Sequence, residues 1–398
     1  MKKFLLFLLL PTLSLTAQPL QYRIVGYYAS WNVYGGTYYV DDIPADKVTH
    51  LNYAFVNVSE EGECILGDKY GDVQYPYVSD SSERGTDADG QPLAGNINQF
   101  LRLRDINPDL KLLFSVGGWT WSSNFSEAAL TPESRARFAA SCVEMVRKYK
   151  FDGLDIDWEY PITQGEGAGM IQGVPEDKQN YTLLLAELRQ QLDALGEGYL
   201  LSIAAPAVPF YWNNMEIDKL HPYLDYLNLM AYDMYVGEVA SHHAALYNSE
   251  LWEGQQHSIQ TAVEAYLNFG VPAEKIVVGV PFYGHGRAEV SAINNGLFQA
   301  YNGRPAGTWA SGGLFSYADL VANYLSSATS FRDESVQAAW YYDAASQIMI
   351  SYDDPTTLAA KATYIRENQL GGMMIWELGY DDQQHTLLNA VYEGLIGE

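Results

Sequence analysis

Eight short runs of β-branched and aromatic residues recur along the chain, and helical stretches fill most of the gaps between them. The runs lie at 23–28 (RIVGYY), 48–58 (VTHLNYAFVNV), 111–119 (KLLFSVGGW), 151–161 (FDGLDIDWEYP), 199–207 (YLLSIAAPA), 226–233 (YLNLMAYD), 275–283 (KIVVGVPFY) and 371–377 (GGMMIWE). Helical patterns lie at 96–107, 131–150, 177–195, 215–223, 257–269, 356–369 and 385–395. The helix at 131–150 has the clearest start, with Thr131 as N-cap, Pro132 at the first position and Glu133 behind it. Strands that alternate with helices build a parallel sheet, and eight such steps close into a barrel. The fold class expected is α/β, a (β/α)8 TIM barrel. A doubly wound open sheet is the alternative, but no glycine-rich nucleotide loop supports it.

The rhythm breaks once. From 284 to about 346 the chain is rich in Gly, Asn, Ser and Tyr and lacks a simple strand-then-helix step. This segment reads as a small α+β insertion domain after strand 7. The expected division is a signal peptide at 1–17, the barrel at 20–284 and 347–398, and the insertion at 285–346. A long polar loop after the second strand carries Tyr70, Tyr75 and Tyr77 among Gly, Asp and Ser. Loops of that length are usually functional or disordered.

Charge and address narrow the function. The chain has 49 acidic and 23 basic residues, a formal net charge of −26. That argues against nucleic acid or an anionic membrane surface as partner and suits a neutral or cationic substrate. Lys2 and Lys3, the apolar run at 4–10 and the Leu15-Thr16-Ala17 end read as a secretory signal, too short to span a bilayer. A secreted or periplasmic protein is expected, and a monomer. It has only two cysteines, Cys64 and Cys142. An exported protein permits one disulfide. Cys142 falls in a helical stripe with Phe138, Met145, Val146 and Tyr149, so a buried structural thiol is expected instead. No Cys/His ligand pattern appears, and neither metal nor cofactor is expected.

The fourth run carries the chemistry. Asp155, Asp157 and Glu159 alternate with Leu154, Ile156 and Trp158. On a strand, residues two apart share a face, so three acids line one side and three apolar residues the other. An ordinary half-buried strand also alternates, but the flanking runs make this one central and buried on both faces. Buried carboxylates must share protons and hydrogen bonds, which displaces their pKa values. Such acids serve general acid chemistry on a glycosidic bond. Barrel enzymes place active groups at the C-terminal strand ends. There stand Trp119, then Asp157 and Glu159, then Met230, Tyr232 and Asp233, then Trp376. Aromatic rings stack on the apolar faces of sugars while polar tips bind hydroxyl and amide groups.

Asp152-Gly153-x-Asp155-x-Asp157-x-Glu159 resembles the signature of family 18 glycoside hydrolases of the chitinase type. Ser115-x-Gly117-Gly118, Met230-Ala231-Tyr232-Asp233 and the run 371–377 are similar to three further motifs of that family. Gly307-Thr308-Trp309 with Tyr317, followed by the run 350–355 (ISYDDP), resembles the insertion of chitinases with deep clefts. The resemblance implies that Glu159 is the general acid/base, that Asp157 turns to the substrate's N-acetyl group, and that Asp155 shares a proton with Asp157. It implies that Tyr232 holds the acetamido carbonyl, that Trp376 floors the sugar being cleaved, and that Tyr27, Tyr53, Met230 and Asp233 support that subsite. The implied partner is chitin or chito-oligosaccharides. The implied mechanism is retaining and substrate-assisted, with the acetamido oxygen as nucleophile. Glu159 argues against a sugar-binding lectin without turnover, and the insertion argues against an endo-N-acetylglucosaminidase cutting N-glycans. The chain departs from the family's Tyr-Gly-Arg after strand 7, reading Tyr283-Gly284-His285-Gly286-Arg287. Either His285 takes the place of that arginine or the loop has shifted.

Overall fold

The computed structural model describes residues 22–77, 85–163, 172–235, 237–309, 312–326 and 329–397. The expected signal peptide at 1–17 lies outside them. Eight parallel strands close into a barrel: β1 (Arg23–Ala29), β2 (His50–Val58), β3 (Lys111–Gly117), β4 (Gly153–Asp157), β5 (Leu200–Pro206), β6 (Tyr226–Met230), β7 (Ile276–Pro281) and β8 (Gly372–Trp376). Each pairs with its sequence neighbour, and β1 closes the ring by pairing with both β2 and β8. A short strand at Cys64–Leu66 lies antiparallel on β2. The (β/α)8 barrel expected from the eight runs is therefore the fold.

The helices follow their local signals. We label α1 (Asn32–Gly35), α2 (Lys69–Val73), α3 (Gly95–Arg102), α4 (Pro132–Tyr149), α5 (Asp177–Leu195), α6 (Ile259–Asn268), α7 (Pro355–Glu367) and α8 (Thr386–Leu395). Thr131 caps α4, its side chain accepting from the Ser134 amide at 3.1 Å. Asp354 caps α7 in the same way, accepting from the amides of Thr356 and Thr357. The helix expected at 96–107 ends at Arg102 and continues as a single 3-10 turn.

Every barrel strand has two buried faces, as a parallel sheet between helices requires. Val25, Tyr27, Ala54, Leu113, Tyr226, Val277 and Met374 meet inside the barrel. Ile24, Tyr28, Tyr53, Phe114, Leu154 and Ile156 belong to the larger outer layer under the helices. This parity decides which side chains reach the barrel mouth.

The chain leaves the barrel after β7. Phe282 still bonds to the Trp376 carbonyl at 2.9 Å, but Tyr283–Arg287 is already a strand of a second, five-stranded antiparallel sheet. That sheet draws strands from 283 to 352 and carries the helix Tyr317–Asn323. The insertion after strand 7 is thus α+β, and its sheet extends a few residues beyond 285–346 on each side. Tyr317 and Tyr341 are buried in its packing, while Trp309 is exposed.

The free-thiol expectation is overturned. Cys64 and Cys142 form a disulfide, with Cα atoms 5.0 Å apart. The strand Cys64–Leu66 lies on α4 beside Cys142, so two residues 78 apart in sequence become neighbours. Among the described residues no helix is long and apolar enough to cross a membrane.

Candidate active site

The acidic run folds as its alternation requires. Asp155 and Asp157 are buried on the inner face of β4, while Leu154, Ile156 and Trp158 join the outer layer. Asp155 is held by four donors. The Tyr27 hydroxyl and Ser115 hydroxyl donate to Oδ2 at 2.7 and 2.8 Å. The Ser202 hydroxyl and Asn228 amide donate to Oδ1 at 2.6 and 3.1 Å. The donors come from β1, β3, β5 and β6, and pairing across β3–β4–β5 sets Ser115, Asp155 and Ser202 at one level. Burial raises the Asp155 pKa, and these four bonds oppose the rise.

Asp157 lies next along the same face and lacks such support. Its Oδ1 is buried with no hydrogen-bond partner among the described residues. Burial pushes its pKa well above the usual carboxylate range, and the charges of Glu159 and Asp155 push it further. Glu159 is half-buried at the strand end. Burial is the main cause of its rise to about 7; a hydrogen bond with Tyr160 lowers it and the Asp233 charge raises it. The Ser122 hydroxyl accepts from the Glu159 amide at 2.9 Å and donates to the Gly118 carbonyl at 2.9 Å, tying the two strand ends together. Gly117 and Gly118 have φ of 107° and 75°. A Cβ on Gly117 would sit 2.4 Å from the Asp157 carbonyl oxygen, and one on Gly118 would sit 2.6 Å from the Phe55 ring. Only glycine allows β3 to end so close to the acids.

The rest of the mouth is aromatic. Trp376 ends β8, packed edge-on against Tyr27 at 5.6 Å and stacked on Phe55 at 5.5 Å. Met230 and Tyr232 pack against the same inner cluster. Burial and then the Asp157 charge hold the Tyr232 phenol well above its usual pKa, so it remains a donor. Asp233 has a left-handed backbone, φ 56°. Its Oδ1 lies 3.2 Å from His243 Nδ1 and accepts from the Tyr235 hydroxyl at 2.9 Å. Burial alone would raise the Asp233 pKa, but His243 and, more weakly, His285 and Tyr283 bring it down to about 2. His285 and Arg287 both lie buried on the strand leaving the barrel, Arg287 2.5 Å from His285 Nδ1 and over the Tyr235 and Tyr301 rings. His285 therefore stands on the Asp233 side, with Arg287 beside it on the same strand.

The structure brings Tyr27, Asp155, Asp157, Glu159, Met230, Tyr232, Asp233 and Trp376 to one mouth. Trp119 sits at its rim on the short helix Gly118–Trp121, 48% exposed. Tyr53 is not brought there. It faces outward, stacked with Tyr28 and bonded to Asp72 at 2.5 Å, because Ala54 takes the inward position on β2. Residue types alone missed Ser202, Asn228, Phe55, Tyr160 and His243. Strand parity had a signal for two of them: Ser202 and Asn228 share the inward register of Asp155 and Met230. Among the described residues no group of three or more His, Cys, Asp and Glu side chains is placed to hold a metal ion.

A family profile described as glycosyl hydrolases family 18 matches residues 23–381. Chitinase A1 of Niallia circulans is 38% identical over 93% of this chain, which spans 58% of that relative's length. Among solved structures, chitinase ChiA74 from Bacillus thuringiensis superposes with a TM-score of 0.87 at 33% identity, covering 94% of this chain and 70% of the other. A family 18 N-acetylglucosaminidase from Paenibacillus barengoltzii superposes with a TM-score of 0.77 at 34% identity, covering 94% and 100%.

Proposed function

The chain belongs to glycosyl hydrolase family 18, and from that premise we propose that it hydrolyses the β-1,4 bonds of chitin by a retaining, substrate-assisted mechanism. The observation that carries this reading is Asp155 and Asp157 on the inner face of β4, with Glu159 two residues past its end and Tyr232 and Trp376 beside them. Asp157 and Glu159 lie two residues apart at the end of one strand, so both approach the cleft from the same side. An ordinary retaining glycosidase needs its nucleophile across the bond from its acid. Asp233, the further carboxylate whose charge reaches Glu159, is already engaged by His243 and Tyr235.

In this mechanism Glu159, a carboxylic acid up to about pH 7, protonates the leaving oxygen. The acetamido oxygen of the sugar over Trp376 attacks its own anomeric carbon. Asp157 and the Tyr232 hydroxyl orient that amide for attack, and the negative charge of the aspartate pair stabilises the positive charge that develops on it. Asp155 stays fixed by its four donors beside Asp157, and the two aspartates share one proton between them. Glu159 then removes a proton from the water that opens the intermediate. The site carries no cofactor in this scheme, and the protein acts as an exported monomer. Support for export is the basic start and apolar run of the first residues, together with the Cys64–Cys142 disulfide.

The similarity to the Paenibacillus enzyme supports a second reading, release of single N-acetylglucosamine units. Product analysis on chito-oligosaccharides beside an N-glycopeptide separates these outcomes. Chitobiose and longer products support the first reading, monomer alone the second, and cleavage of the glycopeptide alone overturns both. Glu159→Gln keeps the carboxyl's shape without its proton. It should lose at least about 100-fold in kcat while still binding oligosaccharide. A variant keeping a tenth of wild-type activity would remove Glu159 from its role.

A further inference from the structure

Glu377 is a buried acid that the mechanism above does not use. It is 0% exposed and directly follows Trp376, the ring proposed as the sugar floor. Its carboxylate is met by N–H donors from three segments. Asn32 Nδ2 of α1 lies astride it, 3.2 Å from Oε1 and 3.1 Å from Oε2. The Ala29 amide, at the end of β1, donates to Oε2 at 3.4 Å, and the Gly379 amide donates to the same oxygen at 3.3 Å. The turn at 378–380 closes over the pair: a Cβ on Gly379 would sit 2.5 Å from Asn32 Nδ2. Burial raises the Glu377 pKa to about 7, and the Asn32, Gly379 and Ala29 donors oppose the rise. Burying a carboxylate among neutral donors is costly, and an apolar side chain of similar size would serve the fold as well. What such a network supplies is orientation.

The element oriented here is the end of β8. Trp376 stacks on Phe55 at 5.5 Å, and Phe55 lies 6.2 Å from Trp31. Trp31 precedes Asn32 and Trp376 precedes Glu377, so the two segments meet twice, once through the Phe55 ring and once through the Asn32–Glu377 pair. On the other side the Phe282 amide donates to the Trp376 carbonyl at 2.9 Å. Trp376 is thus held at its own carbonyl, at its ring and at the next side chain. The last residue of a strand would otherwise follow the movements of the loop beyond it. A ring fixed before substrate arrives lowers the entropic cost of binding and holds the sugar where it reacts.

We propose that Glu377, clamped by Asn32, is a positioning residue for the reaction: the pair locks the end of β8 to α1 and so fixes the Trp376 ring under the sugar being cleaved. The proposal rests on the chitin reading above. It gives Glu377 no contact with substrate and no proton to transfer; it acts through Trp376 alone.

The test uses the full chain carrying Glu159→Gln as parent, so that binding is read without turnover. Asn32→Ala removes the clamp and leaves Glu377 to cap its turn, while Glu377→Gln sets an amide NH2 against the NH2 of Asn32. Each should weaken chito-oligosaccharide binding about tenfold at roughly pH 8, where Glu377 is a carboxylate. Asn32→Asp combined with Glu377→Gln exchanges donor and acceptor, and should return binding to within about threefold of the parent. A role in stability alone would lower Tm and leave the affinity of the folded chain as it was. Fluorine NMR of the fluorotryptophan-labelled parent, with the Trp376 resonance assigned through Trp376→Phe, reads the ring without ligand. That resonance should shift in each single variant and return in the exchange. Unchanged affinity in Asn32→Ala, or an unmoved Trp376 resonance, overturns the proposal. So does an exchange that restores neither. A parent that binds no chito-oligosaccharide overturns the chitin reading instead, and the Trp376 resonance still judges the clamp.

Discussion

The Tyr27 hydroxyl donates to Asp155 Oδ2 at 2.7 Å across the interior of the barrel, from the first strand to the fourth. This bond is one of four that oppose the rise burial imposes on the Asp155 pKa. Tyr27 is also the ring against which Trp376 packs. The residue that bonds the deepest acid therefore also packs against the ring proposed as the floor under the substrate.

Tyr27→Phe keeps the ring and removes the bond. A lost hydrogen bond to a charged group costs about 1.5–3 kcal/mol, so kcat should fall by roughly ten- to a hundredfold. KM should change little, because the packing on Trp376 remains. Steady-state kinetics on a chitobiose reporter checks this. A KM effect larger than the kcat effect would place Tyr27 in sugar binding rather than in holding Asp155.

Activity should fall as pH rises through about 7. In the proposed mechanism Glu159 acts as an acid, so the active form is the protonated one, and burial raises its pKa to about 7. The Asp233 charge contributes to that rise. Asp233→Asn removes a negative charge and so stabilises the carboxylate of Glu159. The alkaline limb of kcat/KM should move to lower pH, whatever the height of the profile. A limb that moves to higher pH would contradict the electrostatic assignment.

Cys142→Ser should leave the active site intact and weaken the fold. The bridge closes a segment of 78 residues. Chain-entropy arguments give a loop of that size roughly 4–5 kcal/mol of stabilisation. Urea unfolding measures the loss, and reporter activity below the transition should match wild type. A loss under about 1 kcal/mol would show that the reduced chain already holds those segments together.

Much of this architecture was legible because periodicity carries it. The eight runs and the alternation around Asp155 are local patterns, and the barrel follows from their order. Parity was less legible where both strand faces are apolar. In 48–58 nothing in the sequence marks Ala54 rather than Tyr53 as the inward residue; the pairing of β2 with β1 and β3 decides it. Tyr53 consequently supports the loop at Asp72 instead of touching the mouth. Contacts between distant segments were not legible at all. The Cys64–Cys142 bridge and the His243–Asp233 contact both depend on where loops land after the barrel closes. The departure from the family's pattern in 283–287 was visible, but only alternation along an actual strand showed that His285 and Arg287 share a face.

The central claim is that the substrate's own amide is the nucleophile, and the anomer of the first-formed product tests it most directly. Proton NMR in the first minutes of chito-oligosaccharide hydrolysis, before mutarotation mixes the forms, reads that anomer. Attack by the acetamido oxygen followed by water inverts the anomeric carbon twice, so the β anomer should appear first. An initial α anomer would mean direct attack by water, contradict the substrate-assisted account, and turn the search to Asp233 as a second catalytic carboxylate.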